Sequence, residues 1–229
     1  MEDMQKTGHQ HTSPQKITKE EKFVVPPTHW DALGEKNPGT ICENAMAEQH
    51  PSGGVLVRLL NDNVMADIKE RCIRRFDGES WEKIDHPLLE LLVLIYLLNA
   101  SPHVIRNEMI SVKDLKDALF FQGPHALRTE KLVARYGRDL AGFMAAAESL
   151  GGEHLDLADA AYRFLPFPKV PLYYLLWEGD DEFEPNLSVL FDRSIEQHLS
   201  ADAIWGLVTL VSGMLRKGTE IYTRSTAPA

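Results

Sequence analysis

Thiols are scarce in this chain: of 229 residues only Cys42 and Cys72 carry one. Their separation forms no CxxC pair, which excludes a disulfide framework and a four-thiolate metal site and predicts two reduced cysteines in a cytoplasmic protein. Glycine patterns are missing too. Neither GxxxxGK followed by Ser or Thr nor GxGxxG occurs, so no phosphate-cradling loop of either familiar type is encoded. Serine elbows of the GxSxG type and the zinc pattern HExxH are also absent, which removes the usual signatures of covalent and metal-histidine hydrolysis. The isolated histidines His50, His86, His103, His125, His154 and His198 are read as surface or capping residues. Basic charge is in deficit, with 24 Lys and Arg against 34 Asp and Glu and a formal net charge of -10. Nucleic-acid phosphates and anionic lipid are therefore not expected partners. The longest apolar run, Leu88 to Leu98, contains Glu90 and is too short to span a bilayer, and no apolar signal segment precedes Phe23.

What is present is an ordinary globular composition, 44% hydrophobic, enough for one sizeable core. Residues 1–22 lack large apolar side chains and predict a disordered tail, in which His9 and His11 are solvated. Residues 23–53, with Pro26, Pro27, Pro38 and Pro51, read as an irregular lead-in carrying a short helix near Cys42 to Gln49. Gly54 to Leu60 predicts a strand, and Asn61-Asp62-Asn63 the turn of a hairpin. The second arm, from Val64, fits either a strand or a helical stripe of Met65, Ile68, Cys72 and Phe76.

Asp85-His86-Pro87 opens a helix over Leu88 to Leu98 that is apolar nearly all round and hence central. Two more helices follow, at Leu127 to Tyr136 and Arg138 to Leu150, stopped by Gly151 and Gly152. Tyr162 to Phe164 and Val170 to Trp177 predict strands separated by the Pro166-Phe167-Pro168 kink. Ser200 caps a last helix with the stripe Ile204, Leu207, Val208, Val211 and Leu215. Residues 218–229 form a second tail. The expectation is a single α+β domain over 54–217, a β-hairpin and later strands packed against several helices including the buried central one.

Chemistry concentrates after Trp177, where Glu178, Asp180, Asp181, Glu182 and Glu184 crowd together and Asp192 follows downstream. Carboxylates brought close repel unless a cation, a basic group or a proton lies between them. An EF-hand is excluded: from Asp180 the twelfth position is Phe191, and from Asp181 the third is Phe183. The bland alternative is a turn in which carboxylates bind nearby amides. Phe183 is expected as a buried anchor that fixes the directions of the flanking charges, and Asp192 as a cap for a short helix towards Leu199. Candidate ligand-binding residues are Trp177, Asp180, Asp181, Glu182, Phe183 and Asp192. Tyr162, Phe164, Phe167, Tyr173 and Tyr174 rank as packing before they rank as a ligand face.

The segment PKVPLYYLLWEGDDEF followed by LFD, with GGEHLDLADAAYRFLPFP ahead of it, resembles an uncharacterised domain family of anaerobic bacteria and archaea. The likeness runs from about Gly54 to Lys217 and favours strand over helix for Val64 to Phe76. In that family the domain often follows a cysteine-rich iron-sulfur module like that of corrinoid proteins. Ahead of Gly54 this chain has Cys42 alone, where a cluster needs about four thiolates. The resemblance thus implies an anaerobe's cytoplasm and a protein partner that carries any iron-sulfur or corrinoid centre. No cofactor of the chain itself is specified. The expected function is a binding or accessory protein that uses the acidic turn beside the aromatic strand to contact a partner or a tetrapyrrole-like ligand. The alternative is a divalent-metal-dependent hydrolase or lyase in which Asp180, Asp181, Glu182 and Asp192 serve as ligands or general acid/base groups.

Overall fold

The prolines that suggested an irregular lead-in turn out to start helices. In the structure, a computed structural model that describes residues 24–217, Pro27 and Pro38 open α1 (Pro27–Glu35) and α2 (Pro38–Ala45). A first-turn proline loses no hydrogen bond, because that N–H has no helical acceptor anyway. The Asn37 side chain adds a cap by accepting from the Thr40 amide at 3.1 Å. The two expected tails, 1–22 and 218–229, lie outside the described residues.

Both helices dock on α3 (Pro87–Asn99), capped by His86 through the Leu89 amide. Seven of its residues, Leu89 and Leu92 to Leu97, are buried, as the near-continuous apolar run predicts. Two polar groups in this wall find partners from the lead-in: the Trp30 indole donates to Glu90 at 2.9 Å, and the Tyr96 hydroxyl to the Ala45 carbonyl at 2.9 Å. The lone acid of the longest apolar run is thus hydrogen-bonded rather than stranded.

Between these helical pieces runs a five-stranded antiparallel meander of β1 (Glu48–Gln49), β2 (Val55–Leu59), β3 (Asp62–Asp67), β4 (Cys72–Phe76) and β5 (Trp81–Lys83). Leu59 pairs with Asp62, so the hairpin turn is Leu60-Asn61, one residue earlier than the polar run suggested. Val64 to Phe76 makes two strands. The rival helical stripe fails because it would bury Phe76, which is exposed, while Val64, Met65 and Ala66 are consecutively buried in β3.

The second sheet contains β6 (Met109–Ile110), β7 (Glu153–Leu155), β8 (Ala160–Phe167), β9 (Val170–Trp177) and β10 (Asn186–Asp192), in spatial order β6-β10-β9-β8-β7, all antiparallel. Pro166 does not end β8; the pairing shifts between Phe164 and Phe167 instead, the irregularity at which a ladder tolerates proline. β9 is the middle strand, and Val170 to Leu176 are all buried, as a strand covered on both faces must be. One face meets α6 (Ala201–Lys217), where the Tyr174 hydroxyl reaches the Val208 carbonyl at 3.2 Å. The predicted stripe Ile204, Leu207, Val208, Val211 and Leu215 is buried throughout. α4 (Glu130–Tyr136) and α5 (Leu140–Ser149) pack beside α6, against β10 and β8 respectively. Tyr96 stacks on Phe167 with ring centroids 4.4 Å apart, which joins α3 to the second sheet in one core. The α+β fold is as expected.

Candidate functional site

β9 and β10 end in two very different places, and the predicted site residues divide between them. Trp177, Asp180, Asp181, Glu182 and Phe183 lie in or beside the loop that joins the two strands. Asp192 sits at the far end of β10, six residues and about 20 Å of extended chain away. The acids therefore do not all converge.

The loop is pinned from beneath. Gly179 donates its amide to the Gly137 carbonyl at 2.9 Å, and Pro185 wedges between these glycines. A Cβ on Gly137 would stand 2.6 Å from the Pro185 ring and from the Val133 carbonyl, so glycine is required by close approach. Asp180 closes the turn above: its Oδ1 accepts the Glu182 amide at 2.8 Å and the Phe183 amide at 2.7 Å, and its own amide donates to the Phe183 carbonyl. Those two amides, Phe183 before Glu182, hold the Asp180 carboxyl below its ordinary pKa, with Arg138 adding to the effect. Arg138 also donates to the Asp180 carbonyl at 3.2 Å.

On this base Asp181, Glu182 and Glu184 face water. Phe183, expected as a buried anchor, is instead 69% exposed, because Pro185 and the Asp180 carboxylate already do the anchoring. Trp177, 36% exposed, is the one residue of the aromatic strand that reaches the surface; Tyr173 and Tyr174 are core. A cleft of about 620 Å³ runs between α4 and the loop, lined by Glu130, Val133, Arg138, Asp139, Glu184 and Pro185 among others. Asp180, Asp181, Glu182 and Phe183 are outside its lining.

Asp192 has the opposite environment. It is fully buried, and its carboxylate accepts the amides of Arg106 at 3.0 Å, Glu108 at 3.2 Å and Ser194 at 2.9 Å, with the Ser194 hydroxyl at 2.5 Å. Burial pushes its pKa up, but the Ser194 hydroxyl and the three amides outweigh that and leave it lowered. The short turn of helix at Ile195–Gln197 has Ser194 and not Asp192 at its N-cap, so the expected cap instead ties the distant Arg106 and Glu108 amides to the end of β10.

Beside it stand Lys169, which sequence reasoning passed over, and His198, which was expected as a surface or capping residue and is buried instead. His198, 1% exposed, accepts the Ser101 amide on Nδ1 at 3.3 Å, so its proton rests on Nε2, a buried atom without a partner among the described residues. Burial first, then the charges of Lys169 and His103, push its pKa down to about 4. Lys169, 6% exposed, donates to the Ser101 carbonyl at 2.8 Å, where it meets the chain just after the C-terminus of α3. Its pKa is lowered by burial, with Glu43 opposing. Nothing local marks either residue, since Ser101 is 97 and 68 residues away.

Two antiparallel sheets and a buried helix, with a pinned acidic loop at one end of β10 and a saturated carboxylate at the other, define an α+β domain. The chain belongs to the family described as "Domain of unknown function (DUF3786)", whose model matches residues 37–214. No curated protein and no solved structure matches it.

Proposed function

We propose that this domain is a non-catalytic binding or accessory protein that docks a protein partner through the β9–β10 loop. The observation that carries the reading is Phe183, 69% exposed on a loop whose backbone is tied to Gly137, Arg138 and Asp180. An aromatic side chain held out by a rigid base meets a partner with little ordering cost, which is how interface hot spots arise. Five carboxylates between Glu178 and Glu184 surround it, steer encounter and demand a cationic rim on the other side. The family resemblance points to a partner carrying an iron-sulfur or corrinoid centre, in the cytoplasm of an anaerobe.

The alternative, a divalent-metal hydrolase or lyase, has no observation in its favour. Asp192 is remote from the loop and already accepts four hydrogen bonds. Among the described residues no group of three or more His, Cys, Asp or Glu is placed to hold a metal ion.

A photocrosslinking residue at position 183, used in anaerobic lysate, tests the proposal. We expect one dominant adduct, identified by mass spectrometry as an iron-sulfur or corrinoid protein and lost when Asp181 and Glu182 are both changed to Lys. Adducts indifferent to that change would defeat it. Haem or corrinoid absorbance retained after anaerobic purification would replace partner docking by ligand binding.

A further inference from the structure

A second surface feature complements the loop. Between α4 and α6 lies a socket of about 200 Å³, floored by Leu127, Leu132, Trp205 and Val208. By the volume of liquid water that is room for roughly seven molecules, the scale of one aromatic side chain. Its rim carries Arg128, Lys131 and Arg216, and no carboxylate lines it. Three cations thus ring an apolar floor in a chain with a net charge of -10. Lys131 and Arg216 have no ion pair among the described residues, and Arg128 is tied only to the Pro124 carbonyl at 3.3 Å. Trp205 is held in place by its indole donating to the Ala126 carbonyl at 3.4 Å and by the edge of His125 at 5.8 Å.

We infer that the β9–β10 loop of one copy of this chain seats Phe183 in the α4–α6 socket of a second copy. The inference rests on the loop being a docking element and names an occupant for the complementary surface. An apolar ring enters an apolar floor, while Asp181, Glu182 and Glu184 meet Arg128, Lys131 and Arg216 at the rim, the arrangement of hot spot and charged surround that interfaces use. The contact runs between copies. Within one copy the loop is tied to Gly137 at the C-terminal end of α4, about 10 Å along the helix axis from the socket at its N-terminal end. A single knob buries less than a standard interface, so the pairing is weak, in the micromolar range. A partner protein and a second copy then compete for the same loop.

Sedimentation velocity over a roughly hundredfold concentration range tests this on the full chain. The weight-average mass should rise above that of the monomer with concentration, and less so in high salt, which screens the rim. Phe183→Ala, at an exposed position, should weaken association at least about tenfold. The socket variant Lys131→Glu with Arg216→Glu should do the same. Mixing that variant with Asp181→Lys, Glu182→Lys should restore pairing, since each then offers what the other lacks. A monomer at every concentration overturns the pairing while leaving crosslinking at position 183 to judge the loop itself. Association that survives Phe183→Ala also overturns it, because another segment then fills the socket.

Discussion

The two ends of β10 put the same chemical group to opposite use. At the start of the strand carboxylates stand in water on a loop pinned beneath them; at its end Asp192 is fully buried, with four donors on its two oxygens. A buried charge persists only when hydrogen bonds replace its hydration, and once they do it organises the chain that supplies them. An exposed charge organises little and stays available to others. Asp180 stands between the two cases, solvent-exposed yet spent on the backbone of its own turn. How many donors a carboxylate already serves, more than how many acids surround it, separates scaffold from surface.

The sharpest test of this contrast is to delete one acid at each end. Asp192→Ala strips the acceptor from three amides and a hydroxyl and should cost roughly 3 kcal/mol or more in urea unfolding, whereas Asp181→Ala should stay within about 0.5 kcal/mol. Equal effects would dissolve the distinction.

Acid should attack the buried end next. The His198 pKa is about 4 in the folded protein against an ordinary 6.5, so the unfolded chain binds the extra proton between those values. Stability is therefore full above pH 6.5 and falls as pH drops towards 4, by about 3 kcal/mol in total. Asp192, whose pKa is lowered, loses its contribution as pH falls through its folded value, below the ordinary carboxylate range. His198→Gln should flatten the upper part of the profile; an unchanged slope between pH 6.5 and 4 would remove His198 from the account.

At the exposed end, Gly137→Ala should cost about 1–3 kcal/mol by forcing Pro185 and the Val133 carbonyl apart, and should speed hydrogen exchange at Gly179. Smallest of all, Phe183→Ala should leave stability within about 0.5 kcal/mol while removing self-association. If it unfolds the domain, Phe183 is core and the loop no docking element.

Much of the framework was readable without coordinates. α3 announced itself by an apolar run behind a first-turn proline, α6 by a stripe at helical spacing, and β9 by a short apolar run of strand formers. Each is a local pattern that burial turns directly into structure. The lead-in departs from an irregular reading because proline at a helix start, as at Pro27 and Pro38, is favoured and Asn37 three residues before Thr40 is a legible cap. Leu60, in the left-handed region at φ 54, is a turn residue no propensity would choose.

The sequence by itself determined elements such as α3, α6 and β9 and the crowding of acids after Trp177, because such elements answer to neighbours a few residues apart. Only the tertiary structure decided which carboxylate would be saturated and which left to solvent. Two of the four donors to Asp192 come from 84 and 86 residues earlier, and the contacts of His198 from 97. Burial and hydrogen bonding are settled where distant segments pack, and no local pattern carries that information.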